Sequence, residues 1–252
     1  MKIDHPAPHH MPQQRAIWQE AFGDTDAFLD SFFSTAYAPD RCLCVLDGNR
    51  IAAILYWIDC ELHGQNLAYI YAVVTDPSYR GRGLCRMLME AAHALLKTRG
   101  YAGAILVPQQ EPLRNMYAGM GYRNAGGLSV LSCSAGTEPV PFRSVGPQEF
   151  AALRRQYLPE NAVIQEGAGL DFLAQQLQFY AGNDFLMAAY SEDGQLHAPE
   201  FLGQANAAPG ILAALGVSTG TFRLPGTEKL FAMYCPLSTC TICPDYFGFA
   251  FD

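Results

Sequence analysis

The stretch Asp76–Arg86, DPSYRGRGLCR, places three arginines and two glycines between a strand-like apolar run and a helix-like amphipathic run. The first turn of a helix carries unpaired N–H groups and a partial positive charge, and glycine lets an anion approach the backbone closely. This arrangement therefore predicts an anion site, to which Arg80 and Arg82 would add full charges. Neither Gly-x-Gly-x-x-Gly nor the P-loop pattern is present, so the stretch favours neither a Rossmann site nor a P-loop.

The segments on either side of this turn predict alternating strands and helices. The run LAYIYAVVT at 67–75 predicts the strand before it, and apolar residues at helical spacing predict a helix behind it that ends at Gly100. Upstream, Asp47-Gly48-Asn49 between two apolar runs predicts a hairpin. The other elements predicted here are two short helices separated at Gly23, the second capped by Asp24 or Thr25, a polar loop at 59–66, a strand at 102–108, a short helix at 111–119 and a strand at 126–134.

A proline-bearing segment, AGTEPVPF at 135–142, predicts a domain boundary, because two prolines flanking a valine resist both a helix and a central strand. We therefore expect a first domain over residues 1–136 and a smaller α+β domain over residues 137–252. In the second domain, Glu192-Asp193-Gly194 predicts the turn of a hairpin. Its other predicted elements are helices at 148–157, 169–180 and 211–217 and strands near 221–224, 229–235 and 246–251.

Composition argues against several classes of protein. The longest unbroken apolar run, at 51–58, is far shorter than the roughly 20 residues of a membrane helix. The chain has 24 acidic and 16 basic residues, a balance that repels nucleic acid and anionic lipid and favours cationic partners. The first residues contain no apolar segment typical of a secretion signal. We therefore expect a cytoplasmic protein that binds neither nucleic acid nor membrane.

The eight cysteines and the amino-terminal histidines do not predict a metal site. Cys235, Cys240 and Cys243 have the C-x4-C-x2-C spacing of plant-type iron–sulfur sites, but only nine residues remain for the fourth ligand that should follow. Thinly spread cysteines favour reduced thiols. The histidines at 5, 9 and 10 lie in a proline-bearing leader that we expect to be mobile.

The arginine-glycine turn resembles the acetyl-CoA loop of the GNAT superfamily of N-acetyltransferases. Their pattern is Arg or Gln, two residues, Gly, one residue, then Gly or Ala. Arg80, Gly83 and Cys85 occupy these places, and Cys85 is a departure at the last one. The form RGRGLCR is most similar to the enhanced-intracellular-survival branch, although we expect this shorter chain to lack the sterol-carrier-like carboxy-terminal domain of that branch.

A second motif strengthens this resemblance, which covers residues 40–134 firmly and the leading helices loosely. Tyr117, Gly121 and Tyr122 resemble the Tyr-x-x-x-Gly-Phe/Tyr ending of the family's short helix. Gln110 departs from the pattern, because the family often has Asn seven residues before this tyrosine. The resemblance implies an α/β (α+β) fold, with a GNAT-like central mixed sheet flanked by helices.

The resemblance also implies where acetyl-CoA binds. In the family the cosubstrate lies between two splayed parallel strands, with its pantetheine paired to the first strand and its pyrophosphate on the turn. A backbone N–H near Val73 or Val74 would stabilise the oxyanion. The cofactor-binding residues implied are Val73, Val74, Thr75, Arg80, Gly81, Arg82, Gly83, Leu84 and Cys85.

The implied reaction is direct acetyl transfer to a primary amine. Tyr117 is the expected general acid for the departing thiolate, because phenol and thiol have reference pKa values within about two units of each other. The base is left open: Glu61 and Asp59 are candidates, His63 shares their loop, and Asp252 at the tail is a further candidate. Asp252 offers its side chain and its terminal carboxylate, as in the enhanced-intracellular-survival branch.

A second hypothesis is a catalytically degenerate GNAT-fold module that binds acyl-CoA or a protein partner. Cys85, Gln110 and the absence of an acidic residue in LAYIYAVV favour it. A metal-dependent redox protein is a distant third. The acidic, aromatic leading helices indicate a cationic acceptor, a small-molecule or peptide amine, because in relatives they border the acceptor pocket. The second domain resembles a degenerate GNAT-like half that forms a wall of the acceptor site or a dimer surface, so a homo-oligomer is left open.

Overall fold

The computed structural model describes residues 1–239 and 242–250, which divide into two compact units. The first unit contains Met1–Arg123 and residues 233–239, and the second contains Asn124–Ala232 and residues 242–250. The boundary expected between residues 136 and 137 therefore falls inside the second unit, because the strand before it belongs to the sheet of that unit. No described helix is long and apolar enough to cross a membrane.

The first unit opens with the two expected helices, α1 (Met11–Phe22) and α2 (Asp26–Thr35). Gly23 ends α1 in the left-handed conformation, and Thr25 caps α2 by accepting a hydrogen bond from the Phe28 N–H. The expectation of a mobile leader is wrong. Strand β1 (Lys2–Asp4) pairs with the next strand, and the His5 ring is hydrogen-bonded to the Cys42 carbonyl.

The sheet of the first unit is mixed, as predicted. Neighbouring strands are antiparallel except for one parallel pair, β4 (Gln65–Thr75) and β5 (Gly103–Leu106). Residues 233–236 of a strand near the chain's end pair with β5 on its other side. The strands in spatial order are β1, β2 (Cys42–Asp47), β3 (Arg50–Leu62), β4 (Gln65–Thr75), β5 (Gly103–Leu106) and β12 (Lys229–Pro236).

The segment 59–66, expected to be a polar loop, instead forms the paired ends of β3 and β4. Both strands continue to a two-residue turn at His63 and Gly64, which have φ angles of 50° and 75°. Positive φ at both central residues is the type I′ geometry that matches strand twist. The ladder continues through Glu61 and Asn66, because exposed polar side chains do not prevent backbone pairing.

Helices α3 (Leu84–Thr98) and α4 (Glu111–Ala118) lie where the sequence predicts them. The apolar face of α3 is buried against the sheet together with Tyr117 and Tyr122. Burying such a face contributes about 25 cal/mol per Å² of apolar area, so the helix is held mainly by packing. The buried residues of this face are Leu84, Leu88, Met89, Ala92 and Leu96.

The strands of the second unit are also mixed in direction, with one parallel pair, β10 (Gln195–Gly203) and β11 (Thr219–Pro225). Its hairpin turns at Asp193-Gly194, as predicted. In spatial order its strands are β6 (Arg123–Ser134), β11 (Thr219–Pro225), β10 (Gln195–Gly203), β9 (Phe185–Glu192), β8 (Gln178–Gly182) and β7 (Phe142–Val145). Its helices are α5 (Pro147–Tyr157), α6 (Ala168–Leu173) and α7 (Ala208–Leu215).

Two predictions for this unit are wrong. The helix expected at 169–180 ends at Leu173, and the following apolar residues form β8, which pairs on both sides. The strand expected at 246–251 is absent from its described residues, 246–250, which contribute only an isolated bridge between Tyr246 and Ala162. Both segments are short and apolar, and such patterns do not separate helix, strand and buried irregular chain.

A buried ion pair lies within the second unit. Arg154 donates to both carboxylate oxygens of Glu200, at 2.7 and 2.8 Å, and the two residues are 1% and 0% exposed. The Tyr246 hydroxyl donates to the same carboxylate at 3.0 Å. The guanidinium also lies 4.7 Å from the centre of the Phe249 ring. These contacts tie α5, β10 and the segment 244–250 together.

The substitution Glu200→Gln is expected to lower the free energy of unfolding by about 3 kcal/mol or more, because it leaves the buried guanidinium without a counter-charge. Urea unfolding followed by circular dichroism measures this loss. The matched control is Glu149→Gln, which removes the charge of the exposed Arg143–Glu149 pair and is expected to cost less than about 1 kcal/mol. Equal losses in the two variants would contradict the prediction.

Candidate functional site

The parallel strands β4 and β5 separate soon after they meet. Their registered pairs run only from Leu67–Gly103 to Tyr69–Ile105. Beyond this point β4 continues to Thr75, whereas β5 ends at Leu106. Among the described residues no strand pairs with this side of β4 after Tyr69. The splay exposes backbone groups that an extended ligand can pair with.

A bulge in β4 lies at the start of this splayed segment. Ala72 has a φ of 46°, and the register shifts so that Tyr71 opposes Tyr56 while Val74 opposes Ile54. A non-glycine residue in this conformation is uncommon and is held only where its surroundings fix it. Bulges turn the following side chains and increase local twist. The bulge therefore directs Val73 and the rest of β4 away from β5.

The arginine-glycine turn follows at the end of β4. Gly81 and Gly83 have φ angles of 76° and 74°, and α3 begins directly after Gly83. No side chain of the described residues caps the first turn of α3. A Cβ added at either glycine would meet no atom within 4 Å. The turn is therefore an open cradle of N–H groups that fits a phosphate.

Local contacts hold this cradle in shape. Arg80 Nε donates to the Thr75 carbonyl at 3.2 Å, and an Arg82 Nη donates to the Ser78 carbonyl at 3.0 Å. Asp76 accepts from the Ser78 N–H at 2.9 Å and pairs with Arg50 at 2.9 Å. The hydrogen bond from the Ser78 hydroxyl, aided by Arg50, lowers the pKa of Asp76. The turn is thus organised before any ligand binds.

Cys85, the departure from the family pattern, does not fill the cradle. Its side chain is half-buried and packs against the core cluster under α3. Burial raises the pKa of its thiol, and the positive charge of Arg86 partly offsets this rise. The groups of the turn that could bind an anion are backbone N–H groups, so a small side chain packed against the core leaves them available.

Tyr117, the expected general acid, lies on α4 and is 7% exposed. Burial, aided by Cys85, raises the pKa of its phenol above the usual value. The phenol is therefore protonated at neutral pH, and its pKa lies further above that of a thiol than the reference values do. Its ring meets that of Tyr122 edge to face, with 5.8 Å between the ring centres.

The structure does not place the candidates for the base near the arginine-glycine turn. Glu61 accepts a hydrogen bond from the Gly64 N–H at 3.1 Å and lies opposite Asn66. At the rise of a strand, Asn66 is about 30 Å from the Thr75 end of β4. Asp59 accepts from the Tyr101 hydroxyl at 2.6 Å and pairs with an arginine. Asp252 lies outside the described residues.

Sequence reasoning did not connect Asp24 with the splayed strand. Asp24 does not cap α2; its carboxylate accepts from the Trp18 indole N–H at 2.7 Å. The Trp18 ring lies 5.4 Å from the ring of Tyr71, the residue before the bulge. Burial raises the pKa of Tyr71, and the negative charge of Asp24 adds to this effect. This carboxylate therefore lies beside the splay, and only the fold brings the two together.

The described residues contain no group of three or more His, Cys, Asp or Glu side chains that could hold a metal ion. Cys235 is buried beside Gly121, and Cys243 is half-buried and free. Cys240, the middle member of the C-x4-C-x2-C pattern, lies outside the described residues.

Comparisons with known proteins add to this geometry. Residues 2–125 match the family model described as acetyltransferase (GNAT) domain. A search of the curated proteins finds no match. Among solved structures, a GCN5-related N-acetyltransferase from Kribbella flavida is 17% identical with a TM-score of 0.70, and its alignment covers 94% of this chain and 72% of that chain.

Two further structures are similar over the same extent. A GCN5-related N-acetyltransferase from Anabaena variabilis is 16% identical with a TM-score of 0.72, covering 95% of this chain and 73% of that one. Eis1 from Mycobacterium abscessus is 11% identical with a TM-score of 0.68, covering 94% and 74%. At these identities the likeness establishes the fold, and it extends over both units.

Proposed function

The chain carries an acetyltransferase (GNAT) domain in residues 2–125, and on this premise we propose that it moves an acetyl group from acetyl-CoA directly to a primary amine. Acetyl-CoA is the cosubstrate of this family. The observation that carries the proposal is the open cradle at Gly81–Gly83, directly beyond the splay of β4 from β5. Among the branches of the family, we favour the enhanced-intracellular-survival branch on the form RGRGLCR and the likeness to Eis1.

In this proposal the turn holds the pyrophosphate and β4 holds the pantetheine. N–H groups of Gly81 to Cys85 bind the phosphate oxygens, and Arg80 and Arg82 add positive charge. Val73, Val74 and Thr75 pair with the pantetheine amides along the unpaired side of β4. The Leu84 side chain is buried under α3, so this residue contributes its backbone alone.

The reaction follows from this placement. The amine nitrogen attacks the thioester carbonyl carbon, and a backbone N–H near Val73 or Val74 stabilises the oxyanion. The carbon–sulfur bond then breaks, the thiolate takes a proton from Tyr117, and the amine proton passes to a base. Holding both reactants in attack geometry supplies much of the acceleration. Tyr117 regains its proton from solvent after the thiol leaves.

The acceptor is proposed to be a cationic amine. Asp24 lies beside the splay and supplies a carboxylate, whereas Asp26 and Asp30 are both paired with Arg15. The buried Trp18 ring holds Asp24 in place through its indole N–H and packs against Tyr71. Asp24 is therefore the residue favoured to recognise an ammonium group of the acceptor.

The substitution Asp24→Asn is expected to raise the KM for a diamine about ten-fold, the loss of one charge-assisted hydrogen bond, with little effect on kcat. The asparagine can still accept from the Trp18 indole, so the local fold is kept. Glu20→Gln, which removes one exposed charge from α1, is the matched control. An unchanged KM in Asp24→Asn would remove this residue from acceptor recognition.

Release of CoA in the presence of a panel of primary amines tests the function. We expect thiol release that depends on the amine, with the acetyl group found on the amine nitrogen by mass spectrometry. A tertiary amine of similar charge is the control, because it cannot form an amide. Thiol release at the same rate without any amine would contradict acetyl transfer to nitrogen.

The alternative is a GNAT-fold module that binds acyl-CoA or a protein partner without turnover. Two observations favour this module. Glu61 is hydrogen-bonded within the turn after β3, and β4 contains no acidic residue. Saturable binding of acetyl-CoA with no release of CoA across the amine panel would support this module. A cytoplasmic location and a homo-oligomer stay predictions from the sequence.

The second unit is proposed to be a GNAT-like half that has lost its cosubstrate site. Strand β10, helix α7 and strand β11 repeat the order of β4, α3 and β5, with the same parallel pairing and a register shift between His197 and Glu200. The connection before α7, Gln204 to Ala207, contains neither arginine nor glycine. We therefore expect this unit not to bind CoA itself.

A further inference from the structure

We propose that His93 is a positioning residue for Tyr117, acting through a hydrogen bond to Tyr122; this rests on the acid role proposed for Tyr117. The three residues belong to one unit and lie on α3, on α4 and just after α4. His93 Nε2 lies 2.9 Å from the Tyr122 hydroxyl oxygen. No sequence motif of the family contains this histidine.

Helix α3 holds the segment after α4 at two points. Arg86 donates from Nη1 to the Gly119 carbonyl at 2.8 Å, and His93 bonds the Tyr122 hydroxyl. Residues seven apart lie on one face of a helix, two turns from each other. Helix α3 begins at the arginine-glycine turn, and one face of this helix therefore holds the residues that follow Tyr117.

The backbone between the two tyrosines is tied as well. The Tyr122 N–H donates to the Tyr117 carbonyl at 3.2 Å, and the Met120 N–H donates to the same oxygen at 2.8 Å. Gly121 adopts a φ of 94°, which closes the end of α4. The edge-to-face contact of the two rings completes the connection. Any shift of the Tyr122 ring is thus passed to Tyr117.

Burial explains why Tyr122 needs a partner. Its side chain is 3% exposed within an apolar cluster, and a buried hydroxyl without a hydrogen bond costs about 1–3 kcal/mol. Burial, aided by the charge of Lys97, lowers the pKa of His93 to about 4. The imidazole is therefore neutral at neutral pH, so Nε2 can accept the Tyr122 proton.

A purely apolar contact would fill this space without fixing a direction. A phenylalanine at either position fills a comparable volume but carries no group that can form this hydrogen bond. The histidine–tyrosine bond sets one orientation for the Tyr122 ring, and through it the direction in which the Tyr117 hydroxyl points. Proton donation to a thiolate depends on that direction.

The test compares His93→Phe, His93→Gln and the control Glu90→Gln, an exposed residue of α3, each alone and combined with Tyr117→Phe. We expect His93→Phe to lower kcat about ten-fold while the KM for acetyl-CoA stays unchanged. His93→Gln, which can still accept from Tyr122, should recover much of this loss. In the Tyr117→Phe background neither change should lower the residual kcat further, because the group that His93 positions is gone.

Each result decides between the two proposals. The positioning role is overturned if His93→Phe lowers kcat equally in the presence and in the absence of Tyr117, or does not lower it at all. Either outcome leaves the acid role of Tyr117 intact. Full turnover of Tyr117→Phe alone overturns the acid role itself. If His93→Phe does not fold, as judged by its thermal midpoint, Tyr122→Phe removes the same hydrogen bond from the other side and is held to the same criteria.

Discussion

Replacing Gly83 with valine is expected to abolish the thermal stabilisation of the protein by acetyl-CoA. Saturating ligand, at about 100 times Kd, adds about 2.7 kcal/mol, or about 5–10 °C for a chain of this size. A Cβ at Gly83 would stand in the open cradle, and a β-branched residue resists the φ of 74° found there. The midpoint of thermal unfolding, with and without acetyl-CoA, measures the effect.

Gly48→Val is the matched control. Gly48 also has a positive φ, 61°, and a Cβ there would also meet no atom within 4 Å, but it lies in the turn between β2 and β3. Both variants should lose similar intrinsic stability, because both carry the same backbone strain. Only Gly83→Val should lose the shift with acetyl-CoA. A shift retained in Gly83→Val would remove the turn from cosubstrate binding.

Tyr117→Phe is expected to lower kcat about ten-fold or more, since general acid catalysis contributes about 10²–10⁴-fold, with the Kd for acetyl-CoA nearly unchanged. Since burial raises the pKa of Tyr117, the phenol stays protonated well above neutral pH. Between pH 7 and pH 9, the kcat of the unchanged enzyme should therefore not fall through loss of this proton. The upper limit, pH 9, is about one unit below the usual pKa of tyrosine. Single-turnover release of CoA, measured across this range, separates chemistry from product release.

Tyr101→Phe serves as the control for this prediction. Tyr101 is a partly buried tyrosine of the same unit, and its hydroxyl donates to Asp59. Its loss should leave kcat within about two-fold, because no step of the reaction uses this hydroxyl. Full activity in Tyr117→Phe, or an equal loss in Tyr101→Phe, would contradict the acid role.

The elements that the sequence predicted well are local ones. The arginine-glycine turn, α3 and the ending of α4 depend on glycines at positive φ and on apolar residues at helical spacing, and neighbouring residues decide both features. Thr25 caps α2 through a bond that spans three residues. Such signals need no knowledge of the rest of the fold, so the cradle is predictable from its own residues.

The features that sequence reasoning missed depend on distant contacts. Trp18, which holds Asp24, meets Tyr71 only because α1 packs against β4, and His93 of α3 meets Tyr122, which follows α4, only in the folded chain. The segment 59–66 is polar yet forms a ladder, since pairing is decided by the partner strand. No local pattern distinguishes these contacts from ordinary solvated side chains.

Residues 233–236 pair with β5 but are synthesised long after it, and this sets an order for folding during synthesis. Strand β5 is made early, but its second neighbour is made only after more than a hundred further residues. Until then one edge of β5 offers unpaired N–H and C=O groups, the kind of edge that recruits other chains. Position 103 must also be glycine for Tyr234 to pack here, because a Cβ added at Gly103 would lie 2.2 Å from the Tyr234 ring. A fragment that stops after residue 136 would keep every residue of the phosphate turn and still carry an open, aggregation-prone sheet.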